Sequence, residues 1–401
     1  MVEFQFSKMS DNLRKSEIRE LLKLTRKTGM ISFAGGLPDP SLFPYKDIEI
    51  ASQRALREKG DFALQYAPTE GDPFLREQLA VFMQKQGEEV AADDIQIVSS
   101  SQQAIDLLCK IFINPGDPVV VELPAYTGTI QTMRAFQANF WGLGMDYDGI
   151  IPESLEKKID KLAESGKKPK FVYLIPDFQN PSGITLTLDR RKKILDIASK
   201  HDILIVEDSP YRELRFKGEI LPSLYSMDKE GRVVYLKTFS KIFCPGFRLG
   251  WVLGPKPVIE KMIIAKQSTD LCTSAFGQIV TAFYIEAGHL ENLVEKAREI
   301  YKEKNTVMLD SLDNLMPDIK GLSWSRPEGG MFLWVKLPEN MDALELFHKA
   351  VEKNVAFVIG SAFHFDGSGK NTLRLNYSYP SVEQIKEGIG RLSELIRDMA
   401  K

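Results

Sequence analysis

The apolar positions of this 401-residue chain change rhythm along its length. Near the start, "SEIRELLKLTRKT" at residues 16–28 puts Ile18, Leu21, Leu22 and Thr25 at helical spacing, and Gly29 suits the position after a last turn. "ISFAGGLPDPSLFP" follows, with two glycines and three prolines, and predicts a loop. From residue 95 short apolar runs alternate with helical patterns. The runs are "IQIV", "PVVVEL", "KFVYLIP", "ILIVED", "RVVYLKTFSK" and "LGWVLG"; helices are expected at "QAIDLLCKIFI" and "LDRRKKILDIASKHD". This alternation predicts an α/β fold with a largely parallel sheet covered by helices on both faces. After about residue 290 a long charged helical pattern leads to "LSW", "GGMFLWVKLP", "VAFVIG" and "NTLRLNYS", which predict a smaller α+β domain. The expected organisation is an N-terminal helix and loop over residues 1–45, a large domain over 46–290 and a small domain over 291–401.

Composition narrows the class. Hydrophobic residues make up 43% and charged residues 27%, as in a soluble globular chain. Lys and Arg number 52 against 55 Asp and Glu, so no basic excess points to nucleic acid or a membrane surface. No run is long and apolar enough to span a bilayer, and the first residues carry no signal-peptide core. Cys109, Cys244 and Cys272 are sparse and odd in number, which favours a reducing, cytoplasmic setting over a disulfide framework. The four histidines lie far apart without metal-ligand spacing, so no metal is expected.

Candidate chemistry gathers where strands should end. Ligands of such sheets bind beyond the carboxyl ends of the strands. In "TFSKIFCPGFRLGW", Lys241 follows a strand, flanked by the hydroxyls of Thr238 and Ser240, with Arg248 seven positions on. A lysine there is either a solvated surface residue or an amine that bonds a carbonyl cofactor beside a phosphate site. Asp208 ends "ILIVED"; it is a cap, a metal ligand or an acid facing a ring nitrogen, and Tyr211 follows closely. Asn180 sits in "DFQNPSG", a good turn by itself, where the amide could also reach a cofactor oxygen. Ser101 and Gln102 lie between a strand and a helix, as an N-cap or a phosphate cradle. Tyr126 is an ordinary half-buried tyrosine or a ring stacked on a flat cofactor. Arg374 shares one strand face with Thr372 and Asn376, which is either a solvent face or a clamp for a substrate carboxylate.

Taken together, "SQQA" at 101–104, "NPSG" at 180–183, "DSPY" at 208–211, "TFSK" at 238–241 with Arg248, and "LRLNYS" at 373–378 resemble the class I/II aminotransferases, fold type I enzymes that use pyridoxal 5′-phosphate (PLP). The likeness covers nearly the whole chain. "SEIRELLKL", "ISFAGGLPDPSLFP", "LQYAPTEG" and "CPGFRLGW" look most like the 2-aminoadipate and kynurenine aminotransferase branch. The resemblance implies a seven-stranded-type main sheet, and PLP held covalently by Lys241. Asp208 would pair with the ring nitrogen, Asn180 and Tyr211 would contact the phenolic oxygen, and Tyr126 would stack. Ser101, Gln102, Thr238, Ser240 and Arg248 would hold the phosphate, with Tyr66 reaching it from the other subunit of a homodimer with shared active sites. Arg374, with Asn180 and Gly36, would bind the substrate, and Arg19 would read a distal carboxylate.

Two positions depart from the family pattern: Thr238 stands where serine is commoner, and Ser100 where glycine is usual. The implied activity is transamination between an L-amino acid, with glutamate or 2-aminoadipate as one partner, and a 2-oxo acid by a ping-pong scheme. Aromatic or aliphatic partners are the other option. Phe33, Phe43 and Tyr45, around a loop at 35–44 expected to cover the site, would admit them. The rivals are β-elimination or decarboxylation on the same fold and, more remotely, a non-catalytic PLP-binding effector module. For the last, the early start of the first helix leaves no room for a DNA-binding segment.

Overall fold

The computed structural model describes residues 4–13 and 29–400. The helix expected over 16–28, and Arg19 with it, lies outside the described residues.

Strands are numbered in chain order, β1 being Ile31–Ser32. The main sheet is built from β2 (Gln96–Val98), β3 (Pro118–Leu123), β4 (Asn139–Asp146), β5 (Gly149–Ile150), β6 (Val172–Leu174), β7 (Ile205–Asp208), β8 (Val233–Thr238) and β9 (Gly250–Leu253). Their order is β2-β9-β8-β7-β6-β3-β4-β5. Neighbours from β4 through β3, β6 and β7 to β8 pair in parallel, while β9 runs antiparallel to both β8 and β2. The sheet is thus of the expected kind. The eighth strand is the two-residue β5, which turns back on the end of β4.

β4 is an addition to the sequence reading. It pairs with β3 from Pro118↔Asn139 to Leu123↔Gly144. Its sequence "NFWGLGMD" carries two glycines and is mostly half-buried near the sheet edge, so it lacks the apolar run that marks the central strands.

Alternation along each central strand divides the core in two. Val119 and Val121 of β3 join the cluster that contains Leu107 and Leu108 of helix Ser100–Phe112. Val120 faces the other way, into a cluster with Leu155 and Ile159 of helix Pro152–Glu164 and Ile194 of helix Leu188–His201. Each such fully buried aliphatic side chain contributes roughly 1.5–3 kcal/mol. Because both faces are covered, the polar ends of the strands have only the sheet's carboxyl edge on which to display chemistry.

The second sheet comprises β10 (Ser323–Trp324), β11 (Phe332–Lys336), β13 (Val358–Ile359) and β14 (Thr372–Asn376), in the order β10-β11-β14-β13, all antiparallel. Between the sheets in sequence runs helix His289–Leu315, which packs against the C-terminal helix Val382–Met399. Its first turn contains residue 290. β1 pairs in parallel with β12 (Val355–Ala356), so the segment after Gly29 is built into the C-terminal part of the chain.

A buried ion pair shapes the loop after β6. Arg191 and Asp177 are 0% and 1% exposed, with Nη2 donating to Oδ1 at 2.7 Å. Arg191 also donates to the carbonyls of Leu186, Pro222 and Pro176. Removing one member of such a pair leaves an uncompensated buried charge. The pair therefore dictates the path of the loop that carries Asn180. Among the described residues no helix is long and apolar enough to cross a membrane, and no group of His, Cys, Asp or Glu is placed to hold a metal ion.

Candidate active site

The parallel direction of β3, β6, β7 and β8, which β2 shares, brings their carboxyl ends to one edge. Lys241 lies three residues beyond β8, half-buried, and its Nζ donates to the Gly36 carbonyl at 2.7 Å. Burial, then the charges of Arg374 and Arg248, push its ammonium down to about 8. The solvated-surface alternative for Lys241 is therefore excluded.

At the end of β7, Asp208 is 2% exposed. Its Oδ2 accepts a 2.6 Å hydrogen bond from the Tyr173 hydroxyl, while Oδ1 is buried and has no partner. Burial pushes the carboxyl up to about 6 against the opposing pull of Tyr173. Asn180 bridges two other members: its Nδ2 donates to the Tyr211 hydroxyl at 3.3 Å, and its Oδ1 accepts from Arg374 Nη1 at 2.8 Å.

Arg374 is 5% exposed, so Thr372, Arg374 and Asn376 do not form a solvent face. Its Nη2 donates to the Ala34 carbonyl at 2.7 Å, and Nε is buried without a partner. The guanidinium lies 4.2 Å over the Phe332 ring and 5.1 Å over that of Phe363. No described carboxylate pairs with it, and burial lowers its pKa to about 10. Among the described residues, this buried cation is held by neutral acceptors and aromatic faces.

A second cationic group surrounds the start of helix Ser100–Phe112. The Arg248 guanidinium donates to Ser100 Oγ at 2.5 Å and to Ser240 Oγ at 3.4 Å, and the Thr238 and Ser240 hydroxyls are 3.0 Å apart. Ser101 and Gln102 occupy the first turn, whose backbone N–H groups have no partner within the helix. Ser100 has φ +66°, the left-handed conformation that favours glycine, which accounts for the usual residue there. The serine keeps that conformation and adds an acceptor for Arg248.

Tyr126 precedes helix Thr127–Ala135 beside Gln102: a Cβ on Gly128 would lie 2.6 Å from the Tyr126 ring and 2.7 Å from Gln102 Oε1. Tyr66 stands apart. It is 76% exposed. Phe33 is fully buried against Gly388 of the C-terminal helix, so it does not line the site, contrary to the expectation from sequence. The residues that sequence reasoning missed are Tyr173, Ala34, Phe332 and Phe363. Three act through a carbonyl or an aromatic face, which no motif marks. Tyr173 reads as a core strand residue within "KFVYLIP".

With the geometry established, comparisons give the family. The profile described as "Aminotransferase class I and II" matches residues 38–392. The aromatic-amino-acid aminotransferase 1 of Thermococcus litoralis is 45% identical over 397 residues, 99% of this chain and 95% of its own. A kynurenine aminotransferase of Pyrococcus horikoshii, solved with PMP, superposes with a TM-score of 0.95 at 45% identity, covering 99% of this chain and 98% of its own. An α-aminoadipate aminotransferase of Thermus thermophilus, complexed with N-(5′-phosphopyridoxyl)-L-leucine, gives 0.90 at 38% identity, covering 98% of each chain. The chain belongs to the class I and II aminotransferases, and its cofactor is pyridoxal 5′-phosphate.

The residues fit that cofactor. Asp208 has one oxygen held by Tyr173 and one buried oxygen without a partner among the described residues, as suits an acid facing a ring nitrogen. The hydroxyls of Ser100, Thr238 and Ser240 with Arg248 form a donor set suited to phosphate.

Proposed function

We propose that this aminotransferase moves an amino group from L-glutamate or L-2-aminoadipate to a 2-oxo acid in two half-reactions. A bulkier aromatic or aliphatic amino acid is the second partner. The observation that carries the reading is the buried Arg374, which has aromatic faces and neutral acceptors but, among the described residues, no carboxylate partner. An α-carboxylate supplies the missing charge.

In this reading Arg374, with Asn180 and the Gly36 backbone, orients the substrate so that its Cα–H faces Lys241. When bound, PLP supplies the electrophile and the electron sink that make the Cα proton acidic. Lys241 would bond the cofactor. Its amine, once free, would take the Cα proton and hold it for return, a task that suits a group with pKa near 8. Asp208 Oδ1 would hold the ring nitrogen, and Asn180 and Tyr211 would hold the phenolic oxygen. Tyr126 would lie against the ring, and Ser101, Gln102, Thr238, Ser240 and Arg248 would hold the phosphate.

Tyr66 would reach that phosphate from the second subunit of a homodimer. The exposure of Tyr66 together with Phe62 and Leu64, each more than 70% exposed, supports a subunit contact there. Acidic specificity is assigned to Arg19 and rests on its sequence position. The names of the aminoadipate and aromatic-amino-acid relatives support the pairing of an acidic with a bulky partner.

The test is a single-substrate titration of the PLP-loaded protein without oxo acid. L-Glutamate should bleach the visible band and release 2-oxoglutarate, leaving pyridoxamine phosphate. Bleaching by phenylalanine or leucine alone would discard the acidic partner. Ammonia or carbon dioxide release without an oxo-acid requirement would favour the lyase or decarboxylase alternatives.

A further inference from the structure

Two backbone carbonyls of the site belong to one short segment. Ala34 O accepts from Arg374, and Gly36 O accepts from Lys241, both at 2.7 Å. Gly36 also lies close to Phe332, where a Cβ would come within 3.2 Å of the ring that underlies Arg374. The segment is rich in glycine and proline, and only a short 3-10 turn at Pro40–Leu42 gives it regular structure. Something else must hold the two carbonyls in place.

That hold comes from helix His289–Leu315. Tyr301 and Lys304, three residues apart on one face of the helix, both grip Asp39. The Asp39 N–H donates to the Tyr301 hydroxyl at 3.1 Å, and Lys304 Nζ donates to Asp39 Oδ2 at 2.5 Å. Lys304 also donates to the Ser378 carbonyl at 2.9 Å, just past β14, and the Ser378 hydroxyl donates to the Leu37 carbonyl at 2.8 Å. The second Asp39 oxygen accepts the Ser41 N–H. Asp39 and Lys304 are 9% and 7% exposed. One ammonium thus ties the segment bearing Ala34 and Gly36 to the end of the strand bearing Arg374. The loop at 35–44, expected from sequence to cover the site, is tied to the rest of the chain by these contacts.

A buried ion pair is weak evidence of net stability, because apolar residues of similar volume often do as well. What an apolar pair lacks is direction. We infer that Lys304, acting through Asp39 and Ser378, is a positioning residue for substrate binding, fixing the Ala34 and Gly36 carbonyls relative to Arg374 and Lys241. The inference rests on the substrate reading given above for those two residues.

The experiment uses the PLP-loaded full-length protein and the Lys304→Met variant, with L-glutamate and L-phenylalanine as donors. Relaxing the segment should raise KM for the donor that is turned over and lower kcat/KM about 10–100-fold, the scale of a small misplacement at a distance. PLP affinity should stay within about twofold of the parent, since the phosphate and ring contacts are untouched. Ser378→Ala, which removes the hydroxyl tie to Leu37 together with the hydroxyl's bonds to the Asn376 amide but leaves the Lys304–Asp39 pair, should shift KM the same way by a smaller factor. It decides the matter if Lys304→Met fails to fold. An unchanged KM in a folded Lys304→Met, or in Ser378→Ala where that variant decides, overturns the inference. So does a loss of PLP affinity in step with melting temperature at unchanged KM. Lys241→Ala separates the two levels: full turnover in that variant would overturn the substrate reading itself, whereas a normal KM in Lys304→Met leaves that reading standing.

Discussion

The Lys241 amine should capture an aldehyde at a pH far below that of an ordinary lysine. Burial, reinforced by Arg374 and Arg248, brings its pKa to about 8, from a reference value of 10.5. Only the neutral amine attacks a carbonyl. At pH 7 a group with pKa 8 is neutral in roughly one molecule in ten, and one with pKa 10.5 in roughly three in ten thousand. The reactive fraction is therefore about 300-fold larger than for a free lysine. The assay mixes apo-protein rapidly with pyridoxal, which lacks the phosphate and so removes Arg248's binding role from the comparison. Growth of the visible band is followed from pH 6 to 11, with Nα-acetyl-lysine as the reference amine. The capture rate should rise with pH and level off above about pH 8. Arg248→Met removes one of the two cationic influences and should move the midpoint upward. A midpoint that stays near 10 in the parent would refute the electrostatic argument. Full capture by Lys241→Ala would refute the assignment of the amine.

Three further outcomes follow from the same geometry. Arg374→Lys keeps the charge but not the planar fork that engages Asn180 and Ala34, and steady-state kinetics should show kcat/KM lowered about 10–100-fold, mainly through KM. Tyr173→Phe removes the one hydrogen bond that favours the Asp208 carboxylate, so its titration should move from about 6 upward by roughly one to two pH units; a carboxyl infrared band followed against pH reads this, and an unmoved midpoint would count against the contact. Asp177→Ala strands the Arg191 charge in the core and should lower unfolding stability by about 3–5 kcal/mol in urea titrations.

Much of the site is legible in sequence because a parallel sheet converts position into proximity. Each apolar run ends at the same edge, so Ser101, Asn180, Asp208 and Lys241 are brought together although up to 140 residues separate them. The same logic fails for Tyr173. It lies inside β6, its register partners are Val121 and Val206, and its ring reads as core; only the hydroxyl leaves the apolar layer to meet Asp208. It fails for Ala34 and Gly36 because a carbonyl leaves no trace in residue identity. For Phe332 an apolar strand residue and a surface for a guanidinium look alike until Arg374 is seen across the pair β11–β14.

Ser100 shows how local backbone and site chemistry are joined. Its left-handed φ is adopted without strain by glycine and at a cost of roughly 1–2 kcal/mol by other residues. The cost recurs at Arg248, whose φ is +54°, so two strained residues face each other across one hydrogen bond. Gly250 explains the closeness of the approach: a Cβ there would lie 2.9 Å from Ser100 Cα and 2.6 Å from the Lys237 carbonyl. β9 must come this near for Arg248, two residues before it, to reach the first turn of helix Ser100–Phe112. The strain accompanies the seating of the Arg248 guanidinium beside the first turn of that helix. In the proposed reading a cofactor phosphate there would offset that strain by satisfying the first-turn N–H groups and the guanidinium together.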